Sequence, residues 1–279
     1  MKTKLVMIEG IPGSGKSTYA KRLADFYTDK GIKVHLYNEG GFHPADLAWN
    51  ACIPIDSLDS VLAKYSSFRN EINKKIRIED DYAVIPYQEI ITDNAEFRKD
   101  MEAYEVYDNR VPFSVFRDLH FKRWSLFGKQ AKERDELNVF ECAFLQNHVN
   151  ELMSFQLADI EMMKKHFGNL IDTVYDLSPV LIYLTQSNVR ETIERVAKER
   201  VFPDGRWIDM VIQYGESTPY GKLHNRKGFE GAILGFEERK QVEIEIIKSL
   251  PITTLVLDNP GYNWEALWQK ITSFLSTLQ

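Results

Sequence analysis

The stretch Leu5-Val-Met-Ile-Glu-Gly-Ile-Pro-Gly-Ser-Gly-Lys-Ser-Thr18 decides how this chain of 279 residues folds. Its apolar start, which ends at Gly10, is typical of a short buried strand in a parallel sheet. Residues 10–17 then match the pattern G-x-x-x-x-G-K-[ST]. Helical spacing of apolar residues follows, up to a predicted stop at Gly31. A strand, a glycine-rich loop and a helix in this order predict a phosphate-binding loop.

The residue types in this loop suit a nucleoside triphosphate. Glycines allow successive backbone N–H groups to point at phosphate oxygens, and the helix N-terminus adds partial positive charge. Lys16 would reach the β- and γ-phosphates, and the Ser17 hydroxyl would coordinate Mg²⁺. The predicted nucleotide-binding residues are Gly13, Ser14, Gly15, Lys16, Ser17 and Thr18.

Further strands alternate with helices along the chain. The additional predicted strands are 33–37, 137–141, 180–184 and 252–257. This alternation is typical of a parallel sheet with helices on both faces. We therefore expect one α/β domain over 1–279, with the three-layer α/β/α fold of P-loop NTPases and a mainly parallel five-stranded sheet.

Two segments depart from this alternation. Residues 50–136 have a helical period broken by prolines, which predicts a helical insertion, and we expect it to bind the acceptor substrate. Residues 202–235 are rich in Gly, Pro and polar residues, which predicts a long loop or flap. Together with the charged helix before it, this flap would form an Arg-bearing lid over 188–235.

The opening motif Ile8-Glu-Gly-Ile-Pro-Gly-Ser-Gly-Lys-Ser-Thr18 resembles that of P-loop kinases of nucleosides, nucleotides and other small molecules, particularly thymidylate-kinase-like proteins. Tyr37-Asn-Glu-Gly-Gly41 is similar to the acidic, glycine-containing segment that follows the second strand of thymidylate kinases. In deoxynucleoside kinases a Glu after this strand is taken as the base for the attacking hydroxyl. The resemblance implies that role for Glu39, and it covers the core strands and the lid but not 50–136.

This chain departs from the thymidylate kinase pattern at two places. Asn38 and Gly40 flank Glu39, where those kinases have Arg and Pro, and Glu141-Cys142 replaces the usual Asp-Arg after the third strand. The missing arginine would ordinarily hold an acceptor phosphate. Its absence leaves room for an uncharged hydroxyl acceptor.

Glu39 and Glu141 both follow predicted core strands at their carboxyl ends, the edge where α/β sheets bind ligands. One carboxylate can orient or deprotonate an acceptor while the other organises Mg²⁺, and we assign Glu39 to the first role and Glu141 to the second. The alternative is that either Glu caps the next helix or faces solvent.

Five cations follow the fourth predicted strand and could face phosphates: Arg190, Arg195, Lys198, Arg200 and Arg206. Arginine binds phosphate oxygens bidentately, and we expect Arg195 and Arg200 to act on the transferred phosphate together with Lys16 and Glu39. The alternative is an ordinary solvated helix, in which interleaved glutamates pair with these arginines.

Weaker candidates lie elsewhere. An acceptor pocket could be built from His43, Arg117, Arg123, Trp49, Phe113, Phe116 and Trp124, but an aromatic stripe is more often helical core. His148 and His166 lack metal-ligand spacing. The turn Asp258–Tyr262 stands where related kinases hold adenine.

Composition excludes several classes. The net charge is −6, which argues against a nucleic-acid partner. No apolar run is long enough to span a membrane, and the short apolar segment at the N-terminus does not suit a signal peptide, so we expect a cytoplasmic protein. Cys52 and Cys142 are too few for a disulfide framework or a Cys-based zinc site. The Trp- and Phe-rich helices leave a homodimer open.

These observations favour a kinase that uses ATP and Mg²⁺ to phosphorylate a small molecule, with a nucleoside or nucleotide-like acceptor as the first hypothesis. An antibiotic or sugar-type phosphotransferase on the same fold is the nearest alternative. An NTP-hydrolysing switch read by a protein partner is another. The sequence after the fourth predicted strand, Thr185-Gln-Ser-Asn188, does not match a guanine-binding motif, which argues against a GTPase.

Overall fold

The computed structural model of the chain describes residues 2–40, 42–203, 205–259 and 261–278. Gly41 of the acidic segment, Asp204 of the predicted flap and Pro260 of the Asp258–Tyr262 turn lie outside the described residues.

The helices and strands have the following bounds. The strands are β1 (Leu5–Gly10), β2 (Val34–Tyr37), β3 (Asn50–Pro54), β4 (Arg77–Glu79), β5 (Tyr82–Pro86), β6 (Leu137–Glu141), β7 (Val180–Thr185), β8 (Val201–Phe202), β9 (Gly205–Arg206) and β10 (Thr253–Asp258). The helices are α1 (Lys16–Thr28), α2 (Ile55–Lys64), α3 (Arg69–Lys75), α4 (Ala95–Glu102), α5 (Phe113–Lys132), α6 (Gln146–Val149), α7 (Ile160–Val174), α8 (Val189–Glu199), α9 (Trp207–Ser217), α10 (Pro219–Leu223), α11 (Gly228–Ser249) and α12 (Trp264–Ser276). A π-helical segment, Asn150–Phe155, follows α6.

A five-stranded sheet in the order β10-β7-β1-β6-β2 forms the first of two compact units, which comprises 1–39 and 124–279. All four strand pairs are parallel. Strand β1 is buried throughout because it lies at the centre, between β6 and β7. The predicted fold class, an α/β protein with a parallel five-stranded sheet, is confirmed.

Alternate residues of β1 face the two layers of helices. Val6 and Ile8 pack with α1 and α12 in one apolar cluster. On the other face, Phe140 of β6 contacts Trp124, and Tyr183 of β7 donates a hydrogen bond to Glu243 of α11. Burial of both faces explains why β1 and β7 are mostly apolar rather than alternating between apolar and polar residues.

The second unit comprises 40–123 and contains a three-stranded antiparallel sheet in the order β3-β5-β4, with α2, α3 and α4 packed in its core. The predicted helical insertion at 50–136 does contain helices, but the prediction missed this sheet. Strands of three to five residues leave little period-2 signal, and Pro54 and Pro86, which suggested helix interruptions, end β3 and β5. The predicted bounds of the insertion also differ from those of this unit.

The predicted flap, 202–235, is mostly helical, so the loop prediction was wrong. Its glycines suggested a loop, but Gly221 allows α10 to approach the end of α9 closely, and Gly231 allows α11 to approach the loop before it. A Cβ atom on Gly221 would lie 1.9 Å from the Gly215 carbonyl oxygen, and one on Gly231 would lie 2.5 Å from the Arg226 backbone. Among the described residues, no helix has both the length and the apolar character needed to cross a membrane.

Candidate functional site

The loop between β1 and α1 has the backbone that its glycines predict. Gly10, Gly13 and Gly15 have φ angles of 147°, 79° and 98°, which disfavour residues with a side chain. Packing also requires them: a Cβ on Gly13 would lie 2.3 Å from Val196 of α8, and one on Gly15 would lie 2.7 Å from the Trp264 ring. The loop is thus held between α8 and α12.

Lys16 begins α1 and is largely buried. Its ammonium group donates a hydrogen bond to the carbonyl oxygen of Ile11, 3.1 Å away within the same loop. This contact keeps the cation above the loop, where the predicted phosphates would lie. Strand β1 is the central strand of the parallel sheet, and the P-loop connects it to α1. The chain has a P-loop NTPase-like fold.

The two glutamates predicted at strand ends come together next to this loop. The Ser17 hydroxyl donates to one oxygen of Glu141 at 3.0 Å, and the backbone N–H of Glu39 donates to the other oxygen at 3.0 Å. The Glu39 carboxylate is exposed and accepts a hydrogen bond from the side-chain amide of Gln146 at 2.5 Å. Buried Glu141 therefore joins α1 to the end of β2, while Glu39 keeps an accessible carboxylate.

This group of side chains fits a divalent cation. One ligand atom each from Glu39, Glu141 and Cys142 lies within 4.8 Å of the others. Mg²⁺ prefers oxygen ligands, so the carboxylates and the Ser17 hydroxyl are the relevant donors. Burial raises the pKa of the Cys142 thiol, and its sulfur is a soft donor that suits Mg²⁺ poorly.

The predicted arginines divide into two groups. Arg195 donates to the Gly13 carbonyl oxygen at 3.0 Å, and its guanidinium lies 3.6 Å from the centre of the Tyr262 ring. Arg200 lies 5.3 Å from the centre of the Trp207 ring. Both line the cavity described below.

The other cations are solvated, and interleaved glutamates meet one arginine of each group. Arg190 lies 3.8 Å from Glu194, and Arg195 lies 3.9 Å from Glu199. Arg190 pairs with Glu230, and Arg206 pairs with Asp209, on the exposed surface. Lys198 is exposed as well.

A cavity of about 600 Å³ opens over the P-loop, within the range typical of ligand pockets. All residues that line it belong to the first unit. They include Pro12, Gly13, Gly15, Lys16, Ser17, Thr18, Glu39, Glu141, Gln146, Arg195 and Arg200, and they continue onto α9, α10 and α11. Ser14, also predicted to bind nucleotide, is fully buried beneath the loop.

Glu9 is a residue of this region that sequence reasoning missed. It is fully buried at the end of β1, where its carboxyl accepts the backbone N–H of Phe144 at 2.7 Å. Burial raises its pKa to about 8, and the nearby Glu243 contributes to the rise. A glutamate inside an otherwise apolar buried strand was the signal that could have identified it. Gln146, which follows β6 on α6, gave no such signal.

The weaker candidates lie mostly in the core or in surface ion pairs. Phe116 and Trp124 are fully buried, as the core interpretation predicts. His43 is buried and accepts hydrogen bonds from two backbone N–H groups, and burial lowers its pKa to about 4. The imidazoles of His148 and His166, which lack ligand spacing in sequence, lie 3.0 Å apart as a buried hydrogen-bonded pair.

Two of the remaining weak candidates form ion pairs, Arg117 with Asp118 and Arg123 with Glu79. The other two are Trp49, which is exposed, and Phe113, which is half-buried.

A family model described as "Chromatin associated protein KTI12" matches residues 3–77. That span contains β1, the P-loop, α1 and β2, and it covers about a quarter of the chain, which does not assign the chain to the family. No curated protein matches the chain.

Two solved structures are similar over nearly the whole length. One is the crystal structure of APE1195, with 14% identity, coverage of 99% of this chain and 96% of that one, and a TM-score of 0.42. The other is thymidylate kinase from Candida albicans, with 12% identity, coverage of 98% and 92%, and a TM-score of 0.37. Likenesses of this size do not identify a substrate.

Proposed function

We propose that this protein is a Mg²⁺-dependent kinase that transfers the γ-phosphate of ATP to a hydroxyl group of a small molecule, with a nucleoside or nucleotide-like acceptor as the first class to test. The observation that carries the proposal is the difference in burial and contacts between two neighbouring glutamates, Glu39 and Glu141. Glu141 is buried and engaged by the P-loop serine, whereas Glu39 presents an exposed carboxylate to the same cavity. An exposed carboxylate beside the phosphate-binding loop can accept the proton that an acceptor hydroxyl loses.

In the proposed reaction, the acceptor oxygen forms a bond to the γ-phosphorus while Glu39 takes the hydroxyl proton. The bond from that phosphorus to the β–γ bridging oxygen breaks, and ADP leaves with the electron pair. Gln146 orients the Glu39 carboxylate through its amide hydrogen bond. Positioning of this kind supplies much of the rate in phosphoryl transfer.

Cations of the chain would compensate the phosphate charge. Lys16 reaches the β- and γ-phosphates after leaving its contact with Ile11, and Arg195 stands beside the loop at Gly13. Arg200, at the end of α8, would approach when the predicted lid closes. Ser17 and Glu141 would hold Mg²⁺, and the bound ion would neutralise charge on the phosphates.

A second candidate function is an NTP-hydrolysing switch that a protein partner reads. The match of the P-loop region to a family described as chromatin-associated favours this alternative. It predicts ADP production that depends on a macromolecular partner rather than on a small acceptor.

The test is a screen of the purified protein with Mg·ATP against nucleosides, nucleotides, sugars and aminoglycosides, measuring ADP. Lys16→Ala serves as the blank because it removes the phosphate-binding cation. We expect one chemical class to raise ADP production above that blank. If every small molecule fails and a protein partner succeeds, the switch replaces the kinase.

Glu39→Gln tests the base directly. It should leave Mg·ATP binding unchanged and lower acceptor-dependent turnover by at least about 10²-fold, the usual worth of a general base. Glu161→Gln, at an exposed position on α7, is the matched control and should keep full turnover. Unchanged turnover in Glu39→Gln would remove Glu39 from the mechanism.

A further inference from the structure

The cavity over the P-loop extends far beyond the phosphate-binding residues. Its far side, here called the α9–α11 wall, is formed by Trp207, Tyr214, Gly215, Gly235, Phe236 and Arg239. The wall and Lys16 line one continuous space of about 600 Å³. A group bound on the wall would therefore share the cavity with a nucleotide on the P-loop.

Two glycines of the wall have no packing reason to be glycine. A Cβ on Gly215 or Gly235 would meet nothing within 4 Å, although both residues lie inside helices. Glycine within a helix is less stable than alanine. By contrast, Gly221 and Gly231 are required by contact with neighbouring backbone. The two open glycines leave bare helix surface toward the cavity, where a ligand can approach the backbone closely.

The side chains around this bare surface suit a flat ring. Trp207 and Phe236 form a near-parallel pair, with ring centres 6.2 Å apart and an interplanar angle of 20°. Arg200 lies over Trp207, and Arg239 lies 5.4 Å from the centre of Phe236. Aromatic faces and guanidinium planes are the surfaces on which planar heterocycles stack.

Arg239 has a guanidinium nitrogen that is available for a further hydrogen bond. Its side chain is 13% exposed and pairs with Glu243 at 3.1 Å, yet its Nη2 atom hydrogen-bonds to no described residue. A buried guanidinium nitrogen without an acceptor is costly, and a polar edge of a ligand ring would satisfy it.

We propose that the α9–α11 wall is the acceptor subsite and that it takes a planar heteroaromatic group, as in a nucleoside, which presents a hydroxyl to Glu39. This inference rests on the proposed kinase function and names the substrate class of that site. It places acceptor recognition in the first unit, whereas the role predicted for 50–136 stays a prediction.

The experiment compares Gly235→Leu with Gly168→Leu. Gly168 lies inside α7 and also has open space at its Cβ, so it matches Gly235 in these two properties, but it does not line the cavity. Adenosine, guanosine, cytidine and uridine are the probes, with glucose and glycerol as non-aromatic hydroxyl compounds. Mg·ATP affinity and the thermal midpoint are measured for each variant.

We expect at least one nucleoside to accept phosphate, and Gly235→Leu to lower its kcat/KM by at least about tenfold, the scale of a steric block in a pocket. Mg·ATP affinity and the thermal midpoint should stay close to those of Gly168→Leu, which should keep wild-type turnover. Equal turnover in both variants would overturn the subsite. Loss of Mg·ATP affinity in Gly235→Leu would also overturn it, because the wall would then hold the donor.

Binding without transfer separates the two proposals. Nucleoside binding is measured in the presence of a non-hydrolysable ATP analogue, through quenching of Trp207 fluorescence, with Trp207→Phe defining the background. Nucleoside binding that Gly235→Leu abolishes, without any phosphate transfer, supports the subsite while the kinase proposal fails. If the wild type binds no nucleoside by this measurement and phosphorylates none, the planar-ring assignment is wrong.

Discussion

Glu141 connects the elements that must cooperate in the site. One carboxylate oxygen accepts from the Ser17 hydroxyl at the start of α1, and the other accepts from the backbone N–H of Glu39 after β2. A single buried carboxylate thus sets the position of the serine that would bind Mg²⁺ and of the segment that carries the proposed base. Losing its charge should affect metal affinity before it affects folding.

Glu141→Gln should raise the Mg²⁺ concentration needed for half-maximal turnover by about tenfold or more, as expected for a group that supports a metal site. A Mg²⁺ titration at saturating ATP measures this shift. Glu161→Gln is the control and should follow the wild-type curve. An unchanged Mg²⁺ requirement in Glu141→Gln would exclude Glu141 from the metal site.

Glu9 makes stability depend on pH. In the folded chain burial raises its pKa to about 8, compared with 4.5 for an unperturbed glutamate. Between these values the folded state holds the proton and the unfolded state does not. The folded state then binds more protons, so this group makes the free energy of unfolding fall as the pH rises.

Glu9→Gln should remove this contribution. We expect the variant to gain at least about 1 kcal/mol of unfolding free energy relative to the wild type between about pH 5 and pH 8, because one unit of pKa is worth about 1.4 kcal/mol. Urea unfolding at several pH values measures the difference. Parallel wild-type and Glu9→Gln curves would show that Glu9 titrates normally.

At the scale of elements, the P-loop depends on the helix packed against it. Gly13 has a φ of 79°, and a Cβ there would lie 2.3 Å from Val196 of α8. The same helix supplies Arg195, which bonds the Gly13 carbonyl oxygen. The packing of α8 against the P-loop therefore sets both the loop backbone at Gly13 and the position of Arg195.

Gly13→Ala should weaken Mg·ATP binding by at least about tenfold, since the loop must move away from α8 to admit the methyl group. Isothermal titration with ATP and Mg²⁺ measures the affinity. Gly31→Ala is the matched control, because Gly31 has a similar φ of 78° but open space around it. Equal affinities in the two variants would show that the contact does not shape the loop.

The central elements could be predicted from the sequence because their signals are local. Strand β7 was predicted at 180–184 and lies at Val180–Thr185, because a fully buried strand favours a continuous apolar run. The helices at 207–235 could not be predicted, because the backbone contacts that require Gly221 and Gly231 are visible only in the folded chain. Strand β4 has three residues, too few for an alternation of apolar and polar residues to be recognised in the sequence.

At the scale of the whole molecule, the residues predicted as a site lie together, whereas the extent of the cavity was not predicted. Lys16 at the start of α1, Glu39 and Glu141 at or just after the ends of strands, Arg195 in α8 and Arg200 just after it all line one cavity. The far wall of that cavity was missed, since its glycines and aromatics are scattered over thirty residues and converge only through the packing of α9 against α11.

The acceptor-binding role expected for 50–136 stays a prediction. The second unit has its own sheet and its own apolar core. The proposed phosphate transfer is assigned to the cavity of the first unit.

The fate of the γ-phosphate tests most directly whether the protein transfers phosphate to an acceptor. The protein is incubated with Mg²⁺, γ-labelled ATP and the acceptors that raise ADP production, and the products are separated. We predict label on an organic acceptor, at a rate that Glu39→Gln reduces by about 10²-fold and that Lys16→Ala abolishes. Label found only as inorganic phosphate would contradict the account and identify a nucleotide hydrolase.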